Sequence, residues 1–173
     1  MKRIILSGGG TGGHIYPAVA VAEALKRRFG EQVELLFVGA EGRMEMEKIP
    51  ALGYRIVGLP IAGLQRRMDW HNLAVPFKVL RSLRQARRTI RTFGADVVVG
   101  FGGYASAPVL WAAQRMGVPT VIQEQNSYAG VTNKILARGA RRICTAYEGM
   151  ERFFPADRIV LTGNPLRGRF SKE

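Results

Sequence analysis

The chain has 173 residues, of which 47% are apolar and 23% are charged, and this globular composition excludes intrinsic disorder as a global description. Its net charge is +13, from 26 Lys and Arg against 13 Asp and Glu. No apolar run approaches a membrane-spanning helix, and the residues before the first glycines are too few for a signal peptide. The single cysteine, Cys144, precludes an intrachain disulfide, so we expect one domain in a reducing, cytoplasmic compartment.

Short β-branched runs alternate with amphipathic helical patterns along the chain. The predicted strands are 3–7, 33–38, 54–59, 96–100, 120–124, 142–145 and 159–161. The predicted helices are 17–29, 72–93, 105–116 and 130–138. Continuous apolar strands are typical of a parallel sheet that is buried on both faces. The pattern therefore predicts an α/β fold with a doubly wound, Rossmann-like parallel sheet, and ligands are expected outside the carboxyl ends of its strands.

The first loop that follows a strand is rich in glycine. Gly8, Gly10 and Gly13 satisfy the spacing G-x-G-x-x-G, and the following helix offers free N–H groups to a phosphate. A dinucleotide-binding domain also has an acidic residue at the end of its second strand, whereas Glu41 comes late here. The loop is thus interpreted as a phosphate-binding turn, with a ligand-free tight turn as the alternative.

His14 ends this loop at the start of the predicted helix. A helix amino terminus disfavours the imidazolium form, so a histidine there is suited to accept a proton. The alternative is a histidine that only forms hydrogen bonds. His71 lies in the basic segment beside Trp70 and is interpreted as a surface residue.

Three further polar loops follow strands. Tyr104 and Ser106 end a second glycine loop, where a serine can also act only as a helix cap. Glu124 and Asn126 project from a strand end, where a ligand-facing role is favoured because polar groups are costly to bury. Arg167 follows an Asn-Pro turn near the carboxyl end and is a candidate phosphate contact.

Four motifs in this order carry a family resemblance. They are Gly-Gly-Thr-Gly-Gly-His at 9–14, Gly-Gly-Tyr-x-Ser at 102–106, Glu-Gln-Asn at 124–126 and Gly-Asn-Pro-x-Arg at 163–167. From residue 3 to about residue 168 the chain resembles the MurG family, bacterial transferases that convert lipid I to lipid II in peptidoglycan synthesis. The resemblance implies the acceptor-side half of a two-domain GT-B fold at 1–173, without the carboxyl-terminal donor domain.

The resemblance also implies roles for individual residues. His14 would be the base that deprotonates the acceptor sugar hydroxyl for inverting transfer. The implied substrate-binding residues, from the glycine loops and the later polar motifs, are Thr11, Gly12, Gly13, Tyr104, Ser106, Glu124, Asn126 and Arg167. No cofactor or metal is implied, and the three aspartates are not clustered in the sequence as an oxygen-ligand site requires. The implied partners are lipid I and, mainly through the second domain, UDP-N-acetylglucosamine.

More than half of the excess positive charge lies in residues 61–93, which hold eight basic residues and one acidic residue, a net of +7. On a helical wheel for 72–93 one stripe is predicted to face the core: Val75, Val79, Leu83, Ala86 and Ile90. The opposite side carries an outward stripe, first apolar and then basic: Leu73, Phe77, Leu80, Arg84, Arg87, Arg88 and Arg91. Apolar residues beside arginines suit an anionic membrane interface. The family resemblance implies the same surface, because it implies a peripheral location on the cytoplasmic face of the inner membrane. The alternative is that the apolar residues pack under the loop at 61–70.

Two other function classes stay open at this stage. The chain could be a non-catalytic, membrane-docking subunit of a split glycosyltransferase. A nicotinamide-dependent oxidoreductase domain is disfavoured by the absent acid after the second strand. Nucleic-acid binding ranks lower, because the basic residues lie along one apolar-bearing helix and are not interleaved with exposed aromatic residues.

Overall fold

A computed structural model describes residues 1–61 and 75–165 of the chain. The strands are Lys2–Ser7 (β1), Val33–Ala40 (β2), Ile56–Leu59 (β3), Val97–Gly100 (β4), Thr120–Glu124 (β5), Arg142–Thr145 (β6) and Ile159–Leu161 (β7). The α-helices are Gly12–Phe29 (α1), Glu45–Ala51 (α2), Val75–Phe93 (α3), Ser106–Arg115 (α4) and Val131–Leu136 (α5). Short 3₁₀ turns lie at Gly30–Gln32, Ala137–Gly139, Met150–Arg152 and Ala156–Arg158.

The seven strands form one parallel sheet in the order β3-β2-β1-β4-β5-β6-β7. The chain moves outward in one direction through β2 and β3, then returns to the centre and moves the other way from β4. The reversal lies between β1 and β4, where Ser7 pairs with Gly100. The loops after these two strands therefore leave the sheet side by side, which is the usual position of a ligand site in such folds.

Both faces of the sheet are covered, as the apolar strands predict. Ile5 of β1 packs into a cluster on one face, together with Ile90 of α3 and Leu110 of α4. The next residue, Leu6, points to the other face and packs with Ile15 and Val19 of α1. The prediction of a doubly wound α/β fold is confirmed.

The first helix begins at Gly12, five residues before the predicted start at Pro17. The backbone N–H groups of His14 and Ile15 both donate to the Thr11 carbonyl and close the first turn. Burial of Ile15 against the sheet stabilises this turn although glycine is a poor helix former. The prediction of a helix start near Pro17 is wrong, and His14 lies inside the first turn.

The predicted core stripe of α3 is buried only in its second half. Ala86 and Ile90 are buried, whereas Leu83 is half-buried and Val79 is 38% exposed. The helix packs on α4 and β3, and the residues it contributes to the buried core are Ala86, Ile90 and Phe93. The predicted stripe is therefore wrong at Val79. The side chain of Val75 lies outside the described part of the structure.

Candidate functional site

His14 is held at the start of α1 by the loop that precedes it. Its Nδ1 lies 3.1 Å from Oγ1 of Thr11 and 3.3 Å from the carbonyl oxygen of Gly9. The Thr11 hydroxyl can donate to Nδ1 or accept from it and does not fix the tautomer, whereas a carbonyl oxygen can only accept. A hydrogen bond to the Gly9 carbonyl therefore requires the hydrogen on Nδ1. Nε2 is then left with a free lone pair, and the geometry suits a proton acceptor.

The second glycine loop packs directly against His14. Gly102 and Gly103 both have positive φ, +94° and +78°, which L side chains rarely adopt. A Cβ on Gly102 would lie 3.1 Å from Nε2 of His14, and a Cβ on Gly103 would overlap the Gly9 carbonyl oxygen. Glycine at both positions is therefore required for the loops after β1 and β4 to meet.

Two helix amino termini flank this meeting point. α1 begins directly after Thr11, and α4 begins at Ser106 after the second loop. Neither helix has an acidic residue in its first turn, so their free N–H groups are not paired with a carboxylate of the same turn. Gly12 and Gly13 put no side chain over the α1 terminus, and this favours close approach of an anion.

Tyr104 and Ser106 have different surroundings in the second loop. The Tyr104 ring lies beside Gly10, where a Cβ would be 3.1 Å from Cε1, and the Arg43 guanidinium lies 5.8 Å from the ring centroid. Ser106 is buried, and its hydroxyl donates a 2.9 Å hydrogen bond to the Gly103 carbonyl. Tyr104 thus borders the site, whereas Ser106 holds the turn closed. Their predicted roles in substrate binding stay predictions.

Glu124 is buried at the end of β5, and its carboxylate accepts hydrogen bonds that hold the following loop, 125–130, which is the third loop of the site. Oε1 accepts hydrogen bonds from the backbone N–H and the side-chain amide of Asn126, and Oε2 accepts from Gly130 N–H and from Asn133 Nδ2. Asn126 itself is exposed. The amide of Gln125 donates to the Phe101 carbonyl and ties this loop to the second glycine loop. Of the two predicted ligand-facing residues, only Asn126 faces solvent.

Asn133 and Glu45 are two buried polar residues that the sequence interpretation missed. Asn133 lies on α5, and its Nδ2 is 3.7 Å from a Cβ built on Gly102, so it adjoins the His14 loops. Glu45 is 0% exposed at the start of α2 and accepts hydrogen bonds from Ala40 N–H and Gly10 N–H. A charged stretch at 41–48 is typical of a solvated surface, so no sequence signal marks Glu45 as buried.

The structure brings together the predicted residues of the glycine loops and the third loop: Thr11, Gly12, Gly13, His14, Tyr104, Ser106, Glu124 and Asn126. The predicted phosphate contact, Arg167, lies outside the described residues. In the described ranges, 1–61 and 75–165, His, Cys, Asp and Glu side chains do not gather in groups of three or more that could hold a metal ion.

The outward face of α3 is exposed as predicted. Phe77 is 76% exposed and Leu80 is 46% exposed, and the four predicted arginines are exposed further along the helix: Arg84, Arg87, Arg88 and Arg91. Leu73 lies outside the described residues. Beside this face an apolar groove of about 340 Å³ is lined by Val79, Trp111 and Ile135, among others. Within the described residues no helix is both long and apolar enough to span a bilayer.

Residues 4–145 match the N-terminal domain of glycosyltransferase family 28. The chain is 62% identical over 165 residues to a protein of Parabacteroides distasonis, and 61% identical over 165 residues to one of Bacteroides fragilis. Both are named UDP-N-acetylglucosamine--N-acetylmuramyl-(pentapeptide) pyrophosphoryl-undecaprenol N-acetylglucosamine transferase.

Each alignment covers 95% of this chain, but only 45% and 43% of these relatives, so the chain spans less than half of their length. The crystal structure of Acinetobacter baumannii MurG superimposes with a TM-score of 0.82 at 33% identity. That match covers 98% of this chain and 48% of the MurG chain.

Proposed function

Because this chain belongs to glycosyltransferase family 28, we propose that it is the acceptor-binding half of an inverting N-acetylglucosaminyltransferase. The donor is UDP-N-acetylglucosamine and the acceptor is lipid I, the undecaprenyl diphosphate-linked muramyl pentapeptide, and the product is lipid II. The names of the relatives that are about 60% identical support both substrates. In this proposal most contacts to the UDP-sugar come from the part of the relatives' length that this chain does not span.

His14 is the base in this proposal, and its hydrogen-bond geometry is the observation that carries it. Nδ1–H donates to the Gly9 carbonyl, so Nε2 accepts the proton of the acceptor hydroxyl. As that proton transfers, the hydroxyl oxygen forms a bond to C1 of N-acetylglucosamine. The bond from C1 to the phosphate oxygen breaks, its electron pair leaves with UDP, and the configuration at C1 is inverted.

The amino termini of α1 and α4 bind the diphosphate of the acceptor. His14 lies in the first turn of α1, and α4 begins directly after the glycine loop that packs against His14, so the positive ends of both helix dipoles lie near this residue. Thr11, Gly12 and Gly13 provide the close approach at α1, and Tyr104 borders the same space. In this proposal Asn126 contacts the sugar side of either substrate, and its exposure at the third loop supports this role.

His14→Ala tests this role in the two-domain enzyme formed when this chain is continued by the remaining part of the Parabacteroides distasonis relative. We expect kcat for transfer to a lipid I analogue to fall by roughly 10²- to 10⁴-fold, with little change in acceptor binding. His71→Ala is the matched control and retains turnover. Near-normal turnover with H14A would mean that His14 is not the base and has only a structural role. An unmodified two-domain enzyme that binds the acceptor without turnover would favour the docking-subunit alternative.

The outward face of α3 docks the protein peripherally on the anionic cytoplasmic face of the inner membrane. α3 runs antiparallel to the strands, because it connects β3 to the parallel strand β4. Its first turns, with Phe77 and Leu80, therefore lie near the carboxyl ends of the strands, where the site is. The acceptor is lipid-linked, so this orientation keeps the site near the bilayer surface. The apolar groove with Trp111 and Ile135 continues the same surface.

Vesicle flotation tests this docking with a matched pair of double variants. Phe77→Ser with Leu80→Ser removes the exposed apolar residues of α3 and is expected to weaken binding to phosphatidylglycerol vesicles by roughly 100-fold. Phe29→Ser with Leu52→Ser removes the same residue types, 42% and 40% exposed, away from α3 and has little effect. Equal binding by both variants would exclude apolar insertion at α3.

A further inference from the structure

Glu45 and His14 contact opposite sides of one peptide group. The group joins Gly9 to Gly10, so the Gly9 carbonyl and the Gly10 N–H belong to the same planar unit. The carbonyl oxygen is 3.3 Å from Nδ1 of His14, and the Gly10 nitrogen is 3.3 Å from both carboxylate oxygens of Glu45. The chain has no cis peptide bonds in its described residues, so the two groups point in opposite directions.

The Glu45 carboxylate is buried and uses both of its oxygens in the contact with the Gly10 N–H. It is 0% exposed. Among the described residues its only other hydrogen bond is a 3.0 Å one from Ala40 N–H, and no cation there pairs with it. A buried carboxylate without a cation is costly unless N–H donors compensate its charge. The Gly10 and Ala40 amides are those donors, and Glu45 in turn fixes the direction of the Gly10 N–H.

The backbone around this peptide group is closely packed on both sides. A Cβ on Gly9 would overlap Oε1 of Glu45, and Gly10 has φ of +86°. From the opposite side, Gly103 approaches so closely that a Cβ there would overlap the Gly9 carbonyl oxygen. The peptide group is therefore packed closely between the Glu45 carboxylate and the second glycine loop.

We propose that Glu45 is a positioning residue that holds His14, through the Gly9–Gly10 peptide group, in the tautomer with hydrogen on Nδ1. A carboxylate that accepts the N–H polarises the peptide and strengthens its carbonyl as an acceptor for Nδ1–H. In water the neutral ring favours hydrogen on Nε2, which would remove the acceptor that transfer needs. The importance of Glu45 for catalysis rests on the proposed role of His14 as base. The effect of Glu45 on the His14 tautomer does not depend on that role.

The tautomer is measured in the unliganded chain by long-range ¹H–¹⁵N NMR, which separates protonated from unprotonated ring nitrogens. The chain has two histidines, so His71 serves as an internal reference and His71→Gln assigns the signals. In the unmodified chain His14 is expected to be predominantly Nδ1–H, with a slowly exchanging Gly10 amide. Two results with the unmodified chain alone would overturn the proposal. One is a His14 ring with hydrogen mainly on Nε2, and the other is a Gly10 amide hydrogen that exchanges with solvent as fast as that of an exposed glycine.

Glu45→Gln keeps the shape of the side chain but replaces one carboxylate oxygen by an NH₂ group. We expect the ratio of Nδ1–H to Nε2–H at His14 to fall by roughly fivefold to tenfold. Glu47→Gln, an exposed position on the same short helix, leaves the ratio unchanged. An unchanged ratio in a folded E45Q chain overturns the proposal, because a merely structural glutamate would give that result.

The same measurement separates this proposal from the proposed function. If H14A retains turnover while E45Q still shifts the tautomer, the base assignment fails and the positioning contact stands. If H14A abolishes turnover while E45Q leaves the tautomer unchanged, His14 remains the base and Glu45 does not position it.

Discussion

The side-chain amide of Asn133 donates a 2.8 Å hydrogen bond to Oε2 of Glu124, and both side chains are almost completely buried. The contact joins α5 to the end of β5. Together with the donors at Asn126 and Gly130, it gives the Glu124 carboxylate four N–H partners. The third loop of the site is therefore shaped around one buried charge.

Glu124→Gln should destabilise the chain by about 1–3 kcal/mol, because an NH₂ group would replace an oxygen that faces two donors. Urea unfolding followed by circular dichroism measures the change. Glu148→Gln, an exposed position, is the control and should stay within about 0.5 kcal/mol of the parent. A stability of E124Q equal to that of the control would contradict the four-donor arrangement.

Gly103→Ala tests the close packing of the two glycine loops. Gly117 has a similar positive φ, +74° against +78°, but nothing lies within 4 Å of a Cβ built there. Gly117→Ala should therefore cost only the backbone strain, about 1–2 kcal/mol. Gly103→Ala should cost at least about 1 kcal/mol more, because its Cβ overlaps the Gly9 carbonyl. Equal losses in urea unfolding would mean that the loops can separate freely.

Charge on α3 should contribute to binding at anionic vesicles. Replacing Arg84 and Arg88 by Gln should weaken binding to phosphatidylglycerol vesicles by roughly 30-fold at low salt, at about 1 kcal/mol per arginine. Arg141→Gln with Arg142→Gln removes two exposed arginines at the opposite edge of the sheet from the site and should change binding little. Equal loss of vesicle binding in both double variants would indicate that the net charge of the whole chain, and not the arginines of α3, attracts the protein to the vesicles.

The Cys144 thiol should make stability depend on pH in the alkaline range. Burial raises the pKa of Cys144 above 9.0, although the hydrogen bond with Thr162 lowers it in part. Above pH 9 the unfolded thiol loses its proton before the folded one does, so the folded chain loses stability as pH rises, by at most about 1.4 kcal/mol per pH unit. Below that range the thiol contributes no pH dependence.

Cys144→Ala removes this component and leaves the other titrating groups in place. The free energy of unfolding of the parent, measured relative to C144A, should decline as pH increases above 9. A constant difference between pH 7 and pH 10.5 would show that the thiol ionises equally in both states.

Most strands can be predicted from the sequence, because they are short runs rich in β-branched residues, and the central strands are buried on both faces of the sheet. β5, β6 and β7 have the predicted boundaries. The glycine loops can also be located, since each follows such a run. α2 is different: it has seven residues, contains Pro50 and lies in a charged stretch, so local pattern does not distinguish it from a loop. Glu45, at its first residue, is missed for the same reason.

The amphipathic pattern of α3 predicts which residues face outward, because Phe77, Leu80 and the arginines cannot share the stripe that packs on the sheet. It does not predict how far along the helix that stripe is buried. Val79 has the periodicity of a core residue but is 38% exposed and lines the apolar groove with Trp111, whereas the core includes Ala86, Ile90 and Phe93 of the later turns. The angle between packed elements depends on side chains from other parts of the chain.

The sequence by itself determined the fold class, the order of the glycine loops, the position of His14 beside a helix start and the basic, apolar-bearing helix. Each of these depends on neighbours within a few residues, through backbone freedom, periodicity or charge density. Only the tertiary structure decided that Gly103 presses on the Gly9 carbonyl, that Glu124 turns inward, and that Glu45 reaches the peptide that holds His14. The Gly103 and Glu45 contacts join residues that are far apart in the chain, and they form because β4 and β2 lie on the two sides of β1 in the sheet. The Glu124 contacts are closer in sequence, but they need α5 to pack against the end of β5.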